Sequence, residues 1–135
     1  MRGASAIAGL ALGVAASQAS AHHSLAPYVR TTMEVVIGEV KEFAWTNPHT
    51  RLIVLVPGEG GTMVEWNFEG VSTSRLATAG FKKDTMSPGD TISVVYNPRR
   101  DKSPGGMFVA VGFADGTTLR LGRDQQFQSG TLRIE

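Results

Sequence analysis

Histidine is the residue type whose placement in this chain most strongly indicates chemistry. The sequence has three histidines and no cysteine, so cysteine-ligated metal sites and disulfides are excluded and imidazole nitrogen is the donor to consider. His22 and His23 are adjacent near the amino end, and His49 lies in a Trp-Thr-Asn-Pro-His-Thr segment. These two groups define the candidate chemistry.

The first 21 residues have the pattern of a secretory signal. Arg2 supplies a positive charge, residues 6–16 are apolar, and residues 19–21 (Ala-Ser-Ala) are the small residues that a signal peptidase reads. The alternative is a membrane anchor, but this apolar run is well short of the roughly 20 residues that span a bilayer. We expect cleavage after residue 21, export to the periplasm or the exterior, and no membrane insertion of the processed chain, which begins at His22.

An amino-terminal histidine is a good chelator. An α-amine and an imidazole have ordinary pKa values near 8 and 6.5, so both groups lose protons near neutral pH. If His22 is the first residue, its amine and its ring can bind the same ion. His49 would add a second imidazole, and His23 could be a further donor. Such a nitrogen-rich site favours Cu(II). Cleavage one or two residues earlier would make His23 or His22 the third residue, which also creates a square-planar Cu(II) or Ni(II) site. The alternative is that both terminal histidines are solvent-exposed and bind only adventitious copper.

His49 is expected in the connection between the first two strands. Pro48 restricts the backbone there, and Asn47 can close an Asx-type turn. A rigid turn would hold an imidazole with little loss of entropy. The alternative is that His49 bonds a backbone carbonyl and only stabilises the turn.

Four other residues are candidates for ligand contacts or for supporting a metal. Trp45 and Trp66 could stack on a ligand, although a place in or beside the core is the alternative. Glu65 lies on the polar face of the third strand, where a solvated role is the alternative, and Asn47 lies beside His49. The basic loop of residues 97–106 could contact an acidic partner.

Composition limits the function classes. The formal charge is +1, and the one charged side chain of the signal is Arg2, so the processed chain is neutral and lacks the basic excess of a nucleic-acid binder. With 41% apolar and 19% charged residues, the chain is expected to fold as one domain. No nucleophile elbow or phosphate loop is present, which favours a non-enzymatic role.

The order of predicted elements favours an OB-like barrel. Alternating or continuous apolar runs predict strands at residues 32–45, 52–56 and 63–69, a short helix at 72–79, and strands near 92–96 and 107–113. Gly38 is interpreted as a bulge or bend where the alternation of the first strand changes. A helix between strands three and four of a five- to six-stranded Greek-key barrel is the OB arrangement; the alternative is a small β-sandwich. The domain is expected to cover residues 22–122, followed by a polar tail at 123–135.

Two motifs together resemble a known family. The His-His-Ser at residues 22–24 and the Trp-Thr-Asn-Pro-His at 45–49, together with Pro-Gly-Asp at 88–90 and Asp-Lys-Ser-Pro-Gly-Gly at 101–106, are similar to those of small exported bacterial proteins of unknown function. The resemblance implies export and a single β domain. It also places all three histidines within the two distinctive motifs, without implying an activity.

Two functions from different classes follow from the sequence. The first is a periplasmic protein that binds a metal ion through His22, His23 and His49. Its nitrogen donors favour copper, and its role would be metal handling or delivery. The second is a non-catalytic OB-type module that binds a protein partner or a small ligand, with structural histidines. The metal, the partner and the oligomeric state are not determined by these residues.

Overall fold

A computed structural model describes residues 27–122. The predictions for His22 and His23, for the signal and for the tail therefore concern residues outside the described range. The described part consists of six strands, one 3-10 turn and one α-helix. In chain order these are β1 (Glu34–Ala44), β2 (Arg51–Pro57), the 3-10 turn (Glu59–Gly61), β3 (Met63–Glu69), α1 (Thr73–Thr78), β4 (Thr91–Pro98), β5 (Gly105–Phe113) and β6 (Thr118–Arg120).

The sheet closes on itself. Its strand order is β3-β2-β1-β4-β5-β6, and a parallel pairing between β3 and β5 joins the two ends of the five-strand part. The remaining pairings are antiparallel. With α1 between β3 and β4, this is the expected OB-like Greek-key barrel, extended by the short strand β6.

β1 serves both halves of the barrel, as its length predicts. Its first half pairs with β4 and its second half with β2, and Glu39 takes part in both ladders. The interpretation of Gly38 as a bulge was wrong, because the register shift lies between Val40 and Glu42. Gly38 instead allows close approach of β2, since a Cβ there would overlap the carbonyl oxygen of Leu55.

The apparent change of alternation in β1 has a simple cause. Val35 and Ile37 face outward and are 39% and 43% exposed, whereas Val40 is buried. From Val36 to Val40 the inward positions are the even-numbered ones, so the alternation does not change at Gly38. It changes at the register shift after Val40, where Glu42 is exposed and Phe43 is half-buried against the core.

The core fills the barrel and extends beneath the helix. Leu76 anchors α1 to the barrel and is fully buried. Burial of large side chains is the main stabilising contribution in a chain without disulfides. The largest fully buried apolar side chains are Val40, Leu52, Val54, Phe68, Leu76, Phe81, Ile92, Val94, Val95, Phe108 and Val111.

Candidate functional site

The β1–β2 connection carries His49 at the rim of the barrel. It contains a cis peptide bond between Asn47 and Pro48. The hydroxyl of Thr46 donates to the carbonyl oxygen of His49 at 3.0 Å, which closes the turn. The loop places His49, which is half-buried, beside the end of β3.

Asn47 fastens this loop to the helix. Its Oδ1 accepts hydrogen bonds from the backbone N–H and the hydroxyl of Thr73, both at 3.0 Å. Ser72 immediately precedes the helix but makes no capping hydrogen bond with its side chain. Asn47 thus satisfies one of the N–H groups at the start of α1 that have no partner within the helix. Its side chain caps the helix, whereas the sequence suggested that it closes a local Asx-type turn.

The His49 ring is oriented through its Nδ1 atom. This nitrogen lies 3.0 Å from the carbonyl oxygen of Gly70 and 2.9 Å from Oε1 of Glu69. A carbonyl and a carboxylate can only accept, so Nδ1 carries the proton. In the neutral ring Nε2 then holds the lone pair. With its side chain 32% exposed, His49 is not a core residue.

Glu69 joins the His49 ring to the beginning of the described chain. Its second oxygen, Oε2, accepts a short hydrogen bond from the hydroxyl of Tyr28. Tyr28 forms a β-bridge with Arg99, and its neighbour Val29 donates to the carbonyl of Pro98 at 2.8 Å. The segment that leads into β1 is therefore attached next to His49.

The tyrosine of this pair is held in its protonated form. Burial, followed by the hydrogen bond to Glu69 and the charge of that carboxylate, raises the pKa of Tyr28 to about 12. Arg99 acts in the opposite direction. Because Tyr28 is only 6% exposed, the neutral phenol is a stable donor to Glu69 throughout the physiological pH range.

Gly70 permits the approach of His49 to β3. A Cβ at Gly70 would overlap the hydroxyl of Thr50 and the ring of Phe108. Thr50 is buried there and donates through its hydroxyl to the carbonyl of Val71 at 2.9 Å. The absence of a side chain at this position thus lets the β1–β2 loop pack on the end of β3.

A cleft of about 600 Å³ opens beside this arrangement. Arg99, which lines it, donates to the carbonyl of Asn67 at 3.2 Å, and Arg51 is paired with Glu42 at 2.9 Å. The cleft lies on the face of β2 and β3 and against the β1–β2 loop, where OB-folds usually bind ligands. Its lining residues are Ala44, Thr46, His49, Thr50, Arg51, Asn67, Phe68, Glu69 and Arg99.

Glu65, Trp66 and Trp45, which were also predicted as contact residues, do not line the cleft beside His49. Glu65 pairs with Lys41 on the outer surface. Trp66 is half-buried and contacts the ring of Tyr96 edge-on, with 5.8 Å between centroids, and it lines a different pocket. Trp45 packs edge-on against Phe43 at the edge of the core. Of the glutamates on β3, Glu69 is therefore the one that reaches His49.

Tyr28 was missed by sequence reasoning. It is separated from Glu69 by 41 positions, and no spacing pattern connects a lead-in residue to the end of β3. Within residues 27–122, no group of three or more acidic or histidine side chains could hold a metal ion, and His49 is the single histidine of that range. Nor does any helix in the same range have the length and apolarity to cross a membrane.

Comparison with known proteins gives one match. Residues 10–108 match the model of a family of unknown function, DUF6152. The matched range contains residues 45–49 and the strands β1 to β4, and it ends within β5. Neither the curated proteins nor the solved structures yield a significant match.

Proposed function

Since the chain belongs to DUF6152, a family of unknown function, we propose its function from the site itself. The protein is exported and binds a metal ion, copper being the ion that its nitrogen donors favour. The ligands are the histidines of the processed amino terminus, His22 and His23, together with His49. The role is metal handling or delivery, because an open nitrogen site permits exchange of the ion.

The hydrogen bonds at Nδ1 of His49 carry this proposal. Metal-binding histidines usually donate their second ring N–H to a carboxylate or a carbonyl, which fixes the ring and makes the ligating nitrogen more basic. His49 does both, toward Glu69 and Gly70. A histidine that served only to close its turn would not need the carboxylate from the neighbouring strand.

The attachment of Tyr28 supports a shared site. Tyr28 and His49 hold opposite oxygens of the Glu69 carboxylate. His22 precedes Tyr28 by six positions, and six extended residues span about 20 Å. The amino terminus is therefore within reach of His49 without any rearrangement of the barrel.

Export would supply the free amine. The signal-like residues 1–21, with cleavage after residue 21, would place the protein in the periplasm or outside the cell with His22 first. Expression of the full chain in a bacterium with a periplasm, followed by amino-terminal sequencing, tests this step. A mature protein that begins at any other residue would contradict the proposed ligand set.

Copper titration of the processed protein tests the site. We compare it with a version that retains Ala21 and with His49→Ala, and follow Cu(II) by calorimetry and electron paramagnetic resonance. A shared site predicts that both changes weaken binding and alter the spectrum. An effect of the extension alone would place copper on the tail only, and no effect of either change would refute metal binding by these histidines.

Glu69→Gln separates support of His49 from direct ligation. Loss of such a supporting carboxylate typically lowers metal affinity by about 10- to 100-fold, and the glutamine removes the charge while keeping a similar shape. Glu59→Gln is the matched control, since Glu59 is exposed in the 3-10 turn between β2 and β3. Equal affinities of the two variants would contradict the proposed role of Glu69.

The cleft beside His49 favours a second candidate function. Its volume of about 600 Å³ and its polar side chains would suit a small ligand or a segment of a periplasmic partner, in an OB-type module with structural histidines. Metal-free protein would then bind its partner, and the affinity would not change when copper is added. A requirement for copper in that interaction would instead favour the metal function.

A further inference from the structure

A second pocket lies away from His49, between the helix, β5 and β6. It has a volume of about 250 Å³. Three arginines from three separate segments line it: Arg30 before β1, Arg75 on α1 and Arg120 on β6. Because these positions are far apart in the sequence, it is the folding of the barrel that places the three arginines around one pocket.

The charge of this pocket is unbalanced. Among the described residues no aspartate or glutamate lines it. Within residues 27–122, the guanidinium groups of Arg30 and Arg75 form neither an ion pair nor a hydrogen bond, whereas Arg120 has an interaction of its own. Convergent positive charges around a concave surface attract an anion.

Part of the lining of this pocket is apolar. Met33, Met107 and Leu121 contribute flexible or branched aliphatic side chains, and the buried residue Val71 lies beside them. Methionines adapt readily to the shape of an alkyl chain. An inorganic anion would use the arginines but would leave this apolar surface unfilled.

We propose that this pocket binds a small amphipathic anion. The ligand has one short alkyl chain on the apolar part of the lining and a carboxylate, sulfate or phosphate head between Arg30 and Arg75. Arginine suits such a head group because its planar fork donates two parallel hydrogen bonds to an oxyanion. The pocket is smaller than the roughly 300–1,000 Å³ of sites for drug-sized ligands, so a single-chain molecule fits the proposal and a two-chain lipid does not.

Octanoate is the probe, and octanol is its uncharged counterpart. Binding to the full chain is followed by NMR, using backbone amide shifts of Val71, Val109 and Leu121, which line the pocket. We expect saturable binding of octanoate at these amides and at least about fivefold weaker binding of octanol, as is reasonable for partly solvated charged contacts. Equal binding of both probes, or shifts confined to other parts of the barrel, would overturn the proposal.

Charge-removing variants complete the test. Arg75→Gln and Arg30→Gln are each expected to weaken octanoate binding about fivefold and to leave octanol binding unchanged. Lys83→Gln removes the same charge from an exposed position outside the pocket and should change neither. If Lys83→Gln weakens octanoate as much as the arginine variants, the effect is one of overall charge and the pocket is not the site.

Discussion

The two tyrosines of this chain are expected to ionise far above their ordinary pKa of about 10. They are Tyr28 and Tyr96, and each donates its hydroxyl to a glutamate, Glu69 and Glu34 respectively. Burial is the largest cause in both cases, followed by the hydrogen bond to the carboxylate, and it raises the pKa of Tyr28 to about 12 and that of Tyr96 further. The folded protein should therefore show almost no tyrosinate at about pH 11, where an unfolded chain would be about nine-tenths ionised.

The same shift makes stability depend on pH. Because the pKa of Tyr28 is higher in the folded than in the unfolded chain, its contribution is fully present below about pH 10 and is lost as the pH rises through about 12. For a side chain only 6% exposed, this pKa difference corresponds to about 2–3 kcal/mol. Urea unfolding at several alkaline pH values should show the free energy of unfolding falling across that interval.

Glu69→Gln tests the cause. The variant removes the carboxylate charge and the charged acceptor but leaves the burial, so the pKa of Tyr28 should fall while staying above 10. Near-ultraviolet absorbance measures tyrosinate, and circular dichroism at each pH identifies the folded protein. Glu59→Gln is the control. A tyrosine that ionises near pH 10 in folded wild-type protein, or an identical titration of the two variants, would refute the assignment of this hydrogen bond.

Three substitutions test the fold around the site by urea unfolding. Gly70→Ala should cost about 1–3 kcal/mol, because the added methyl overlaps two neighbouring side chains; a neutral result would contradict the close packing of the β1–β2 loop on β3. Phe68→Ala should cost about 3–5 kcal/mol, since the ring is 1% exposed, whereas Val64→Ala on the same strand, 37% exposed, should cost less than about 1 kcal/mol; similar losses would mean that the order of burial along β3 is wrong. Asn47→Ala should cost about 1 kcal/mol through the lost hydrogen bonds to Thr73, and amide exchange at the start of α1 should rise; unchanged exchange there would show that the loop does not cap the helix.

The barrel could be predicted because its signals are local. Period-two alternation gave the bounds of β3, Met63–Glu69, without error, and the polar and glycine-rich connections separated the other strands. For β1 the alternation of apolar residues was not sufficient to identify the buried face. Its outward residues Val35 and Ile37 are apolar, so the pattern did not indicate which face is buried, and the bulge was assigned to Gly38 instead of to the segment after Val40.

The hydrogen bonds of the site could not be predicted, because they join segments that are distant in the chain. The place of His49 in the connection between the first two strands was predicted and is confirmed. Its partners Glu69 and Tyr28 come from the end of β3 and from the lead-in, and sequence spacing contains no information on which outward glutamate of a strand meets a loop. Glu65 and Glu69 are equivalent in the sequence pattern, and only the closure of the barrel distinguishes them.

Glu69 contacts both Tyr28 and His49, and these two contacts can be tested separately. Its contact with Tyr28 fixes the lead-in whether or not a metal binds, so the tyrosine titration tests geometry alone. Its contact with His49 orients the imidazole ring, and the copper titration tests whether that orientation serves a metal. A confirmed tyrosine titration with no copper binding would therefore leave Glu69 as a structural link between the lead-in and the β1–β2 loop. It would also make the cleft beside His49 the better candidate for the function of the protein.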